Sequence, residues 1–244
     1  MRPAIEIDDL TKRYGGSVAV ERLTFNVPEG HVFGFMGHNG AGKTTTLRVL
    51  LGLTRPTSGA ARVLGRDVVR ESLAVRRQVG FLPASYALPR DMSARDFLRY
   101  VGAMFDLPRA EADARARDLL DLFELGPVEG RRLGDFSTGM AQKVGLAQAL
   151  IGRPRVLLLD EPTAGLDPLG RHHLLTHVRR LARDEGVTVL FSTHILRDVE
   201  SVCEEAAILH HGRLLAAGPL AALKAAHGAA DMDALYLDLV RRAA

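Results

Sequence analysis

Hydrophobic and polar residues alternate near the start of the chain, in the segments AIEIDDL and LTFNV. Alternation with a period of two is typical of strands with one buried face. The segment VFGFM, residues 32–36, is almost continuously apolar and predicts a central strand. A glycine-rich loop and the helical segment KTTTLRVLLGL follow it. Strand, loop and helix in this order form the context that a phosphate-binding loop needs.

The pattern becomes helical between residues 86 and 152. Ser93 can cap a first helix, and a second helix is predicted over residues 109–124. The apolar stripe of the first helix comprises Phe97, Val101, Met104 and Phe105, and that of the second comprises Ala116, Leu119, Leu120 and Phe123. We interpret both stripes as core packing and the whole segment as a helical insertion.

Strand patterns return at residues 155–160, 187–192 and 206–209. Asp167 and Pro168 form a good N-cap and first-turn pair, so a helix is predicted to begin after them. The segment LHHGRLLAAG predicts a hairpin that turns near His211 and Gly212. Residues 221–244 are rich in Ala and Leu and predict a helical tail.

The composition is that of an ordinary globular protein, because 47% of the 244 residues are hydrophobic and 25% are charged. The 32 cationic residues are interleaved with 29 acidic ones, and no like-charge block is longer than a pair such as Arg131 and Arg132. This mixing argues against a dedicated nucleic-acid-binding face.

Cysteine content and hydropathy indicate the compartment. Cys203 is the only cysteine, which excludes an intrachain disulfide and a cysteine-cluster metal site and favours a reducing cytoplasm. No apolar stretch approaches the roughly 18 to 20 residues of a membrane span, and the segment MRPAIEIDDL lacks the apolar region of a signal peptide. We therefore expect a soluble protein.

The segment GHNGAGKT, Gly37 to Thr44, matches the pattern G-x-x-x-x-G-K-[ST] between a predicted strand and a predicted helix. Glycines allow backbone N–H groups to converge on phosphate oxygens, and the following helix points its positive end at the same place. Lys43 supplies a compact positive charge for the β- and γ-phosphates. Only four of the 32 cationic residues are Lys, so a Lys at this position favours a functional choice.

Two acids, Asp160 and Glu161, follow the apolar run VLLL at the end of a predicted buried strand. A buried carboxylate needs a cation or hydrogen-bond donors. Thr44 can place its hydroxyl on Mg²⁺, and Asp160 is the candidate acidic ligand, directly or through water. Glu161 is then free to orient and deprotonate an attacking water. The alternative is that both acids only cap the turn before Pro162.

Together with four further segments, these motifs make the chain resemble the nucleotide-binding subunits of ATP-binding cassette (ABC) transporters over nearly its whole length. The phosphate loop and the acidic strand end are similar to the Walker A and Walker B motifs. FSTGM, residues 136–140, resembles the signature sequence, AGLD, residues 164–167, the D-loop, and STH, ending in His194, the switch-histidine segment. Tyr14 lies where the family places an aromatic ring against adenine. Six motifs in the expected order are more specific than any one of them.

The resemblance implies a set of site residues. Glu161, His194 and Lys43 would be catalytic, and Thr44 and Asp160 would hold Mg²⁺. The implied ATP-binding residues are Tyr14, Gly37, His38, Asn39, Gly40, Ala41, Gly42, Lys43, Thr44, Thr45, Ser137, Thr138, Gly139 and Asp167. Considered alone, FSTGM is also a capped helix start, and a single histidine after a strand is more often structural.

The resemblance also implies an α/β fold of the P-loop NTPase type, with a parallel sheet core, an N-terminal antiparallel β subdomain and a helical insertion subdomain. Residues 1–85 and 153–220 would form the RecA-like ATP-binding core with its antiparallel subdomain. Residues 86–152 would form the helical subdomain that carries the signature, and residues 221–244 a helical tail. All of these parts would belong to a single ABC ATPase domain.

The implied function is MgATP binding and hydrolysis in a head-to-tail dimer, identical or pseudo-symmetric, in which each signature closes over the γ-phosphate of the other copy. A separate membrane permease would dock against the helical lobe at the inner face of the cell membrane. The signature and Walker B segments are most similar to bacterial ATPases of the ABC-2 exporter type, and no nucleic-acid partner is expected. The alternatives are a soluble ABC ATPase that acts on nucleic acid or ribosomes and a regulatory cassette with little turnover.

Several residues depart from the family pattern or lie outside it. Ala84, in GFLPASYALP, stands where the family usually has a glutamine that contacts Mg²⁺ or the attacking water. A methyl group cannot ligate, so we expect retained ATP binding and leave the effect on turnover open. His38 stands where the family often has proline and is expected to contribute only its backbone. The histidines without support for a metal site, expected on the surface, are His172, His173, His210 and His211.

Overall fold

The computed structural model describes residues 3–243. Its strands are β1 Pro3–Tyr14, β2 Ser17–Pro28, β3 Val32–Gly37, β4 Ser58–Val63, β5 Arg66–Asp67, β6 Val79–Leu82, β7 Val156–Asp160, β8 Thr188–Thr193, β9 Glu205–His210 and β10 Arg213–Pro219. Its helices are α1 Lys43–Leu50, α2 Ser72–Arg76, α3 Ala94–Met104, α4 Arg109–Leu122, α5 Thr138–Leu150, α6 Pro168–Glu185, α7 Leu196–Val202, α8 Leu220–Ala226 and α9 Met232–Ala243. Two short 3₁₀ helices, Gly126–Val128 and Leu133–Asp135, connect α4 to α5.

The strands form two sheets. The first has four antiparallel strands in the order β2-β1-β4-β5, and the second has six strands in the order β10-β9-β3-β8-β7-β6. All pairs of the second sheet are parallel except β9 with β10. The predicted α/β fold, with a parallel core sheet and an N-terminal antiparallel sheet, is therefore confirmed.

The parallel sheet is buried on both faces. Every residue of β3 is buried, which confirms the central strand predicted from VFGFM. In β7, Val156 and Leu158 belong to a core shared with the antiparallel sheet and α1, whereas Leu157 and Leu159 belong to the core formed with the helices on the other side. A strand covered on both faces has no polar side, which explains the apolar run VLLL.

The segment between residues 86 and 152 contains α3, α4 and α5. The predicted stripe of the second helix is buried, as are Phe97 and Val101 of the first. The prediction that Met104 packs in the core is wrong, because its side chain is 64% exposed. Met104 is the last residue of α3. The side chain of the next residue, Phe105, lies against Gly152.

The hairpin near the C-terminal end has the predicted turn. His211 and Gly212 connect β9 to β10, and both have positive φ, 46° and 78°. Two central residues with positive φ are the mark of a type I′ turn, which matches the twist of the paired strands. The helical tail is divided into α8 and α9 by residues 227–231, where Gly228 also has a positive φ of 59°.

The strand order determines where a ligand can bind. β3, β8 and β7 are neighbours, so the loops that follow their carboxyl ends meet at one edge of the sheet. Gly37, Asp160 and Thr193 are the last residues of these three strands. The helices in the described part of the chain include none with the length and apolar character of a bilayer crossing.

Candidate active site

The phosphate loop, Gly37–Thr44, connects β3 to the first turn of α1. Gly42 precedes the helix with a φ of 103°, in the left-handed region that favours glycine. A Cβ atom on Gly42 would lie 2.6 Å from the carbonyl oxygen of Ala19, and one on Gly37 would lie 2.6 Å from that of Leu209. The loop is therefore in close contact with two neighbouring backbone segments. A side chain at Gly37 or Gly42 would fit only if one of these segments moved.

Lys43 is the first residue of α1, and its side chain points back under the loop. The residue is only 5% exposed. Its Nζ donates to the carbonyl oxygens of Gly37, at 2.7 Å, and His38, at 3.2 Å, and lies 3.1 Å from Oε1 of Glu161. A buried ammonium needs such partners, because an unpaired one would cost several kcal/mol in order of magnitude. The contacts hold a positive charge beneath the loop.

Asp160 ends β7 and is almost fully buried, with an exposure of 1%. The Thr44 hydroxyl donates to its Oδ2 at 2.7 Å, and the Ser192 hydroxyl donates to its Oδ1 at 2.5 Å. The predicted pairing of Thr44 with the acid of a neighbouring strand is thus present. Ser192 was not anticipated. The sequence offered one sign of this role, because Ser192 is a hydroxyl residue that directly follows the apolar run VLF in β8.

Glu161 lies between Lys43 and His194. Its Oε2 is 2.8 Å from Nδ1 of His194, and Oε1 is buried without a hydrogen bond although the Lys43 ammonium is nearby. The backbone of Glu161 has a φ of 51°, a left-handed conformation that is uncommon for a residue with a side chain. Such strain persists only where the surrounding structure imposes it, and it concentrates at functional sites.

The residues around Thr44 and Asp160 fit a magnesium ion. They offer a hydroxyl and a carboxylate within hydrogen-bond distance of each other, and Mg²⁺ prefers oxygen ligands of this kind. Oε1 of Glu161, one residue further along, is buried and pairs with the Lys43 ammonium at 3.1 Å, but it accepts no hydrogen bond of normal geometry. A water molecule bound beside the ion could donate to it.

The signature segment, residues 136–140, lies at the start of α5. Ser137 caps the helix, because its Oγ accepts a hydrogen bond of 3.3 Å from the N–H of Met140. Ser137 and Thr138 are exposed, and among residues 3–243 no hydrogen bond or ion pair joins Ser137, Thr138 or Gly139 to the phosphate loop. The structure does not bring these predicted ligands together with the phosphate loop within one chain.

The other predicted ATP-binding residues lie apart from this centre or at its border. Asp167 is exposed and caps α6 as predicted, since its Oδ1 accepts a hydrogen bond of 2.6 Å from the N–H of Gly170. Tyr14 ends β1, is 48% exposed, and has the Nζ of Lys12 at 4.7 Å from its ring centre. In the loop and first helical turn, Asn39 and Gly40 are exposed, Ala41 is buried and Thr45 is half-buried.

Ala84 is exposed in the loop between β6 and α3. The polar connection in this region is made by other residues. The Tyr86 hydroxyl donates to the carbonyl oxygen of Ala141 at 2.9 Å and lies 3.3 Å from Oε1 of Gln142, whose Nε2 donates to the carbonyl oxygen of Pro162 at 2.6 Å. Burial raises the pKa of Tyr86 to about 12, so its hydroxyl stays a donor. Sequence reasoning missed this link between the helical segment and the turn after Glu161.

Asp198 supports the same turn from α7. It is 1% exposed, and the Thr163 hydroxyl donates to its Oδ2 at 2.7 Å while Nε of Arg171 donates to Oδ1. A buried carboxylate held by a hydroxyl and a guanidinium fixes both partners. No local pattern in the sequence pointed to Asp198, because its partners lie far along the chain.

The predicted surface histidines divide into two pairs. His172 is exposed and His173 half-buried on α6, as expected of a surface helix. His210 and His211 lie against His38 of the phosphate loop, and one ring nitrogen from each of the three lies within 4.8 Å of the others. His210 and His211 thus lie at the surface as expected, half-buried and exposed, but sequence reasoning missed their grouping with His38. The expectation that His38 contributes only its backbone stays a prediction.

Comparison with known proteins decides the family. The family model described as "ABC transporter" matches residues 20–164, which is more than half of the chain. The chain belongs to the ABC transporter family. ATP hydrolysis is the activity of that family, and this chain is an ABC ATPase.

Relatives of this ABC ATPase include named export and resistance proteins. The Nod factor export ATP-binding protein I of Paraburkholderia xenovorans is 37% identical over 96% of this chain and 76% of the relative. The daunorubicin resistance ATP-binding protein DrrA3 of Streptomyces coeruleorubidus is 40% identical over 94% of this chain and 72% of the relative. The chain is thus similar to exporter ATP-binding subunits along most of its length.

Solved structures agree with the fold of this ABC ATPase. The structure of an ATP-binding subunit of an ABC transporter superposes with a TM-score of 0.88 at 34% identity, covering 97% of this chain and 99% of that one. A dimeric ATP-binding cassette in a post-hydrolysis state, bound to ADP and Pi, superposes with a TM-score of 0.81 at 24% identity, covering 88% of this chain and 98% of that one. The second likeness concerns the fold alone.

Proposed function

We propose that the chain is the ATP-binding subunit of an exporter, and that it hydrolyses MgATP in a head-to-tail dimer to drive a separate membrane permease. The observation that carries the proposal is the meeting of Lys43, the Thr44–Asp160 pair and the Glu161–His194 pair at one edge of the parallel sheet. A cation, a hydroxyl–carboxylate pair and a second carboxylate are the groups that phosphoryl transfer to water requires.

Each residue then has a separate part in the reaction. Lys43 would neutralise charge on the β- and γ-phosphates, and Thr44 and Asp160 would hold Mg²⁺. Bound Mg²⁺ would supply positive charge to the phosphate oxygens on which negative charge develops. Lys43 leaves the Glu161 carboxylate when phosphates compete for its ammonium, so Oε1 of Glu161 becomes available to accept a proton from the attacking water.

His194 has a positioning part beside Glu161. Its Nδ1 lies 2.8 Å from Oε2, and its backbone N–H donates to the same oxygen at 3.3 Å. These two contacts hold one carboxylate oxygen and leave the other turned toward Lys43. The His194 side chain is 45% exposed, so it can also contact a γ-phosphate that enters from outside.

The dimer is supported by the exposed start of α5. A helix N-terminus carries unsatisfied N–H groups and a partial positive charge, which suit a phosphate. Ser137 and Thr138 are exposed at this helix end. Among residues 3–243, no hydrogen bond or ion pair joins them to the phosphate loop of the same chain. A second copy, rotated by a two-fold axis, would supply that loop and receive the same help in return.

A permease partner is supported by the relatives and by the surface of α3. The relatives are named for the export of Nod factor and for daunorubicin resistance, and we propose export for this chain as well. Tyr100 and Met104 lie four residues apart on α3 and are 54% and 64% exposed. An apolar pair on the outer side of the helical segment suits docking to a membrane protein at the cytoplasmic face.

The dimer is tested by mixing two inactive variants. Lys43→Ala removes the phosphate charge, and Gly139→Asp places a negative charge at the signature. About half of the dimers that form at random from an equal mixture are mixed, and each contains one intact composite site. We expect ATP hydrolysis to reappear in the mixture. A mixture as inactive as its two components would contradict the head-to-tail arrangement.

The permease is tested by placing a photo-crosslinking residue at Met104 in the source cell and identifying the membrane protein that it captures. Leu237, 53% exposed on α9, serves as the matched position away from α3. We expect a polytopic membrane protein to be captured from position 104 and not from 237. Capture of ribosomal components or nucleic acid instead would exclude the permease.

A further inference from the structure

Three histidines that are distant in the sequence meet beside the phosphate loop. We call His38, His210 and His211 the histidine cluster. Their ring centres are 4.9 Å apart for His38 and His210, 4.6 Å for His38 and His211, and 4.2 Å for His210 and His211. One ring nitrogen of each lies within 4.8 Å of the others. The cluster is separate from the Thr44–Asp160 pair, which offers oxygen ligands.

Backbone hydrogen bonds hold the β9–β10 turn against the loop. The N–H of His211 donates to Nε2 of His38 at 3.3 Å, and the N–H of Gly212 donates to the carbonyl oxygen of Ala41 at 3.1 Å. A Cβ atom on Gly212 would lie 2.9 Å from the carbonyl oxygen of Ala19, so the turn is closely packed there. These contacts therefore hold the backbones of the three histidines next to one another, while their rings remain able to rotate.

The hydrogen bonds of His38 fix its tautomer and leave Nε2 without a proton. Its Nδ1 is 2.7 Å from the carbonyl oxygen of Asn39, and because a carbonyl only accepts, Nδ1 carries the proton. Nε2 then carries the lone pair, which accepts the N–H of His211 at 3.3 Å, so an ion that binds there must displace this long contact. A metal-binding histidine commonly donates its other ring N–H to a backbone carbonyl in this way, which fixes the tautomer and the ring orientation.

The other two histidines complete a set of three nitrogen donors. His210 is half-buried, and its Nδ1 is buried without a hydrogen-bond partner. Among residues 3–243, no acidic side chain forms an ion pair with His38, His210 or His211. His211 is exposed, so its ring can rotate and an ion can enter from solvent.

We propose that His38, His210 and His211 form a binding site for one divalent transition-metal ion, with Zn²⁺ as the reference ion. Three imidazoles with a fourth position left to water are a known zinc ligand set, and imidazole selects such ions over Mg²⁺. The rings close on the ion by rotation until each Zn–N distance reaches about 2.0–2.1 Å. The ion connects the phosphate loop to the β9–β10 turn, next to the His38 carbonyl that accepts from Lys43.

The proposal is tested by calorimetric titration of Zn²⁺ into the full chain, without a histidine tag, without nucleotide and with Mg²⁺ in excess. We expect one saturable ion per chain. The variant His210→Phe/His211→Asn removes two donors but preserves the fold, because Phe keeps an aromatic ring in β9 and Asn tolerates the positive φ of the turn. We expect its affinity for Zn²⁺ to fall at least about tenfold.

The matched control is His172→Asn/His173→Phe, which makes the same replacements in an adjacent pair on α6, where the ring centres are 6.2 Å apart. This control and His194→Asn should bind Zn²⁺ like the unaltered chain. Equal binding by His210→Phe/His211→Asn, loss of binding in His194→Asn, or no saturable binding in the unaltered chain would each overturn the proposal. If His210→Phe/His211→Asn does not fold, imidazole ¹⁵N resonances of the unaltered chain decide: His38, His210 and His211 must shift with one equivalent of Zn²⁺.

Discussion

Two helix starts in this protein suit an anion, and their surroundings differ completely. The start of α1 is enclosed by its own chain, with Lys43 buried beneath it and Asp160 and Glu161 within hydrogen-bond or ion-pair distance of its first residues. The start of α5 is capped by Ser137 and exposed, and Gly165 and Leu166 lie next to its first residues. In the proposed dimer, the first would supply the charged groups of the site from its own chain, and the second would complete the site of another copy.

In the proposed dimer, this difference would couple ATP hydrolysis to assembly. The α1 site holds the charges, because buried ionic groups must be positioned in advance by their own chain. The α5 site adds only N–H groups and a partial charge, which act when a phosphate arrives. In that proposed dimer, ATP binding would favour the closed arrangement of two copies, and hydrolysis would remove the phosphate contacts that stabilise it.

The largest effect on ATP turnover is expected from Glu161→Gln, in the site at the start of α1. The change removes the proton-accepting carboxylate but keeps its size and its contact with His194. We expect ATP turnover to fall by about 10² to 10⁴-fold, with ATP binding retained and a stable dimer formed in ATP. Steady-state phosphate release and sedimentation with ATP measure the two effects. Glu204→Gln, at a carboxylate that is 85% exposed, is the matched control and should be unaffected; normal turnover in Glu161→Gln would remove Glu161 as the base.

The next largest effect on ATP turnover is expected from Gly139→Asp, at the exposed start of α5. A side chain fits there, since the nearest atom to an added Cβ is Cδ2 of Leu166 at 3.8 Å. The new carboxylate repels the γ-phosphate of a second copy, and we expect turnover to fall by about tenfold or more, with ATP affinity of the isolated chain unchanged.

Gly139→Asn is the control for size without charge and should lose much less turnover. Measurements of turnover and of nucleotide affinity at low protein concentration separate the two steps. Loss of affinity in the isolated chain would show that the α5 start contacts nucleotide within one copy, and the comparison between the two helix starts would fail.

A smaller effect, on stability rather than turnover, is expected from Asp198→Asn. The change weakens the contacts that hold the turn after Glu161. The change leaves the guanidinium of Arg171 without its charged partner while Thr163 keeps an acceptor. We expect the free energy of unfolding to fall by about 3 kcal/mol, the lower end for a broken buried pair, because the Arg171 side chain is 30% exposed. Urea unfolding of the nucleotide-free chain measures it. Asp184→Asn, in an exposed pair with Arg183, should leave the midpoint unchanged; an equal loss in both variants would contradict a special role for Asp198.

The smallest effect is expected from Tyr86→Phe, which removes the hydroxyl that contacts Ala141 and Gln142. At about pH 8 we expect a loss of about 1 kcal/mol in the free energy of unfolding. The folded pKa of Tyr86 is about 12, raised from 10.0, so the unfolded chain loses this proton first.

Stability from Tyr86 is therefore fully present below about pH 10 and decreases as the pH rises toward about 12. Urea unfolding across this range should show a shallower alkaline loss in Tyr86→Phe than in the unaltered chain. Tyr100→Phe, at an exposed residue, is the control. Identical alkaline slopes in the unaltered chain and Tyr86→Phe would show that this hydroxyl is not held by the fold.

Much of the fold was predictable because its signals are local. The strand β3, the phosphate loop, the cap at Asp167 and the turn at His211 each depend on a few consecutive residues and on their backbone geometry. The position of Met104 was not predictable, since helical periodicity does not tell where a helix leaves its core. Ala84 could be named as a departure, but the Tyr86–Gln142–Pro162 link depends on how α5 packs against neighbouring loops.

The sequence by itself determined the chemistry of the phosphate loop, the acidic strand end and the exposed helix cap, because those properties arise from neighbouring residues. Only the tertiary structure decided which of these groups meet. Thr44 and Asp160 are 116 residues apart, and His38 and His211 are 173 apart. Their contacts follow from the strand order β9-β3-β8-β7, which is set by packing of the whole core and leaves no trace in any short segment.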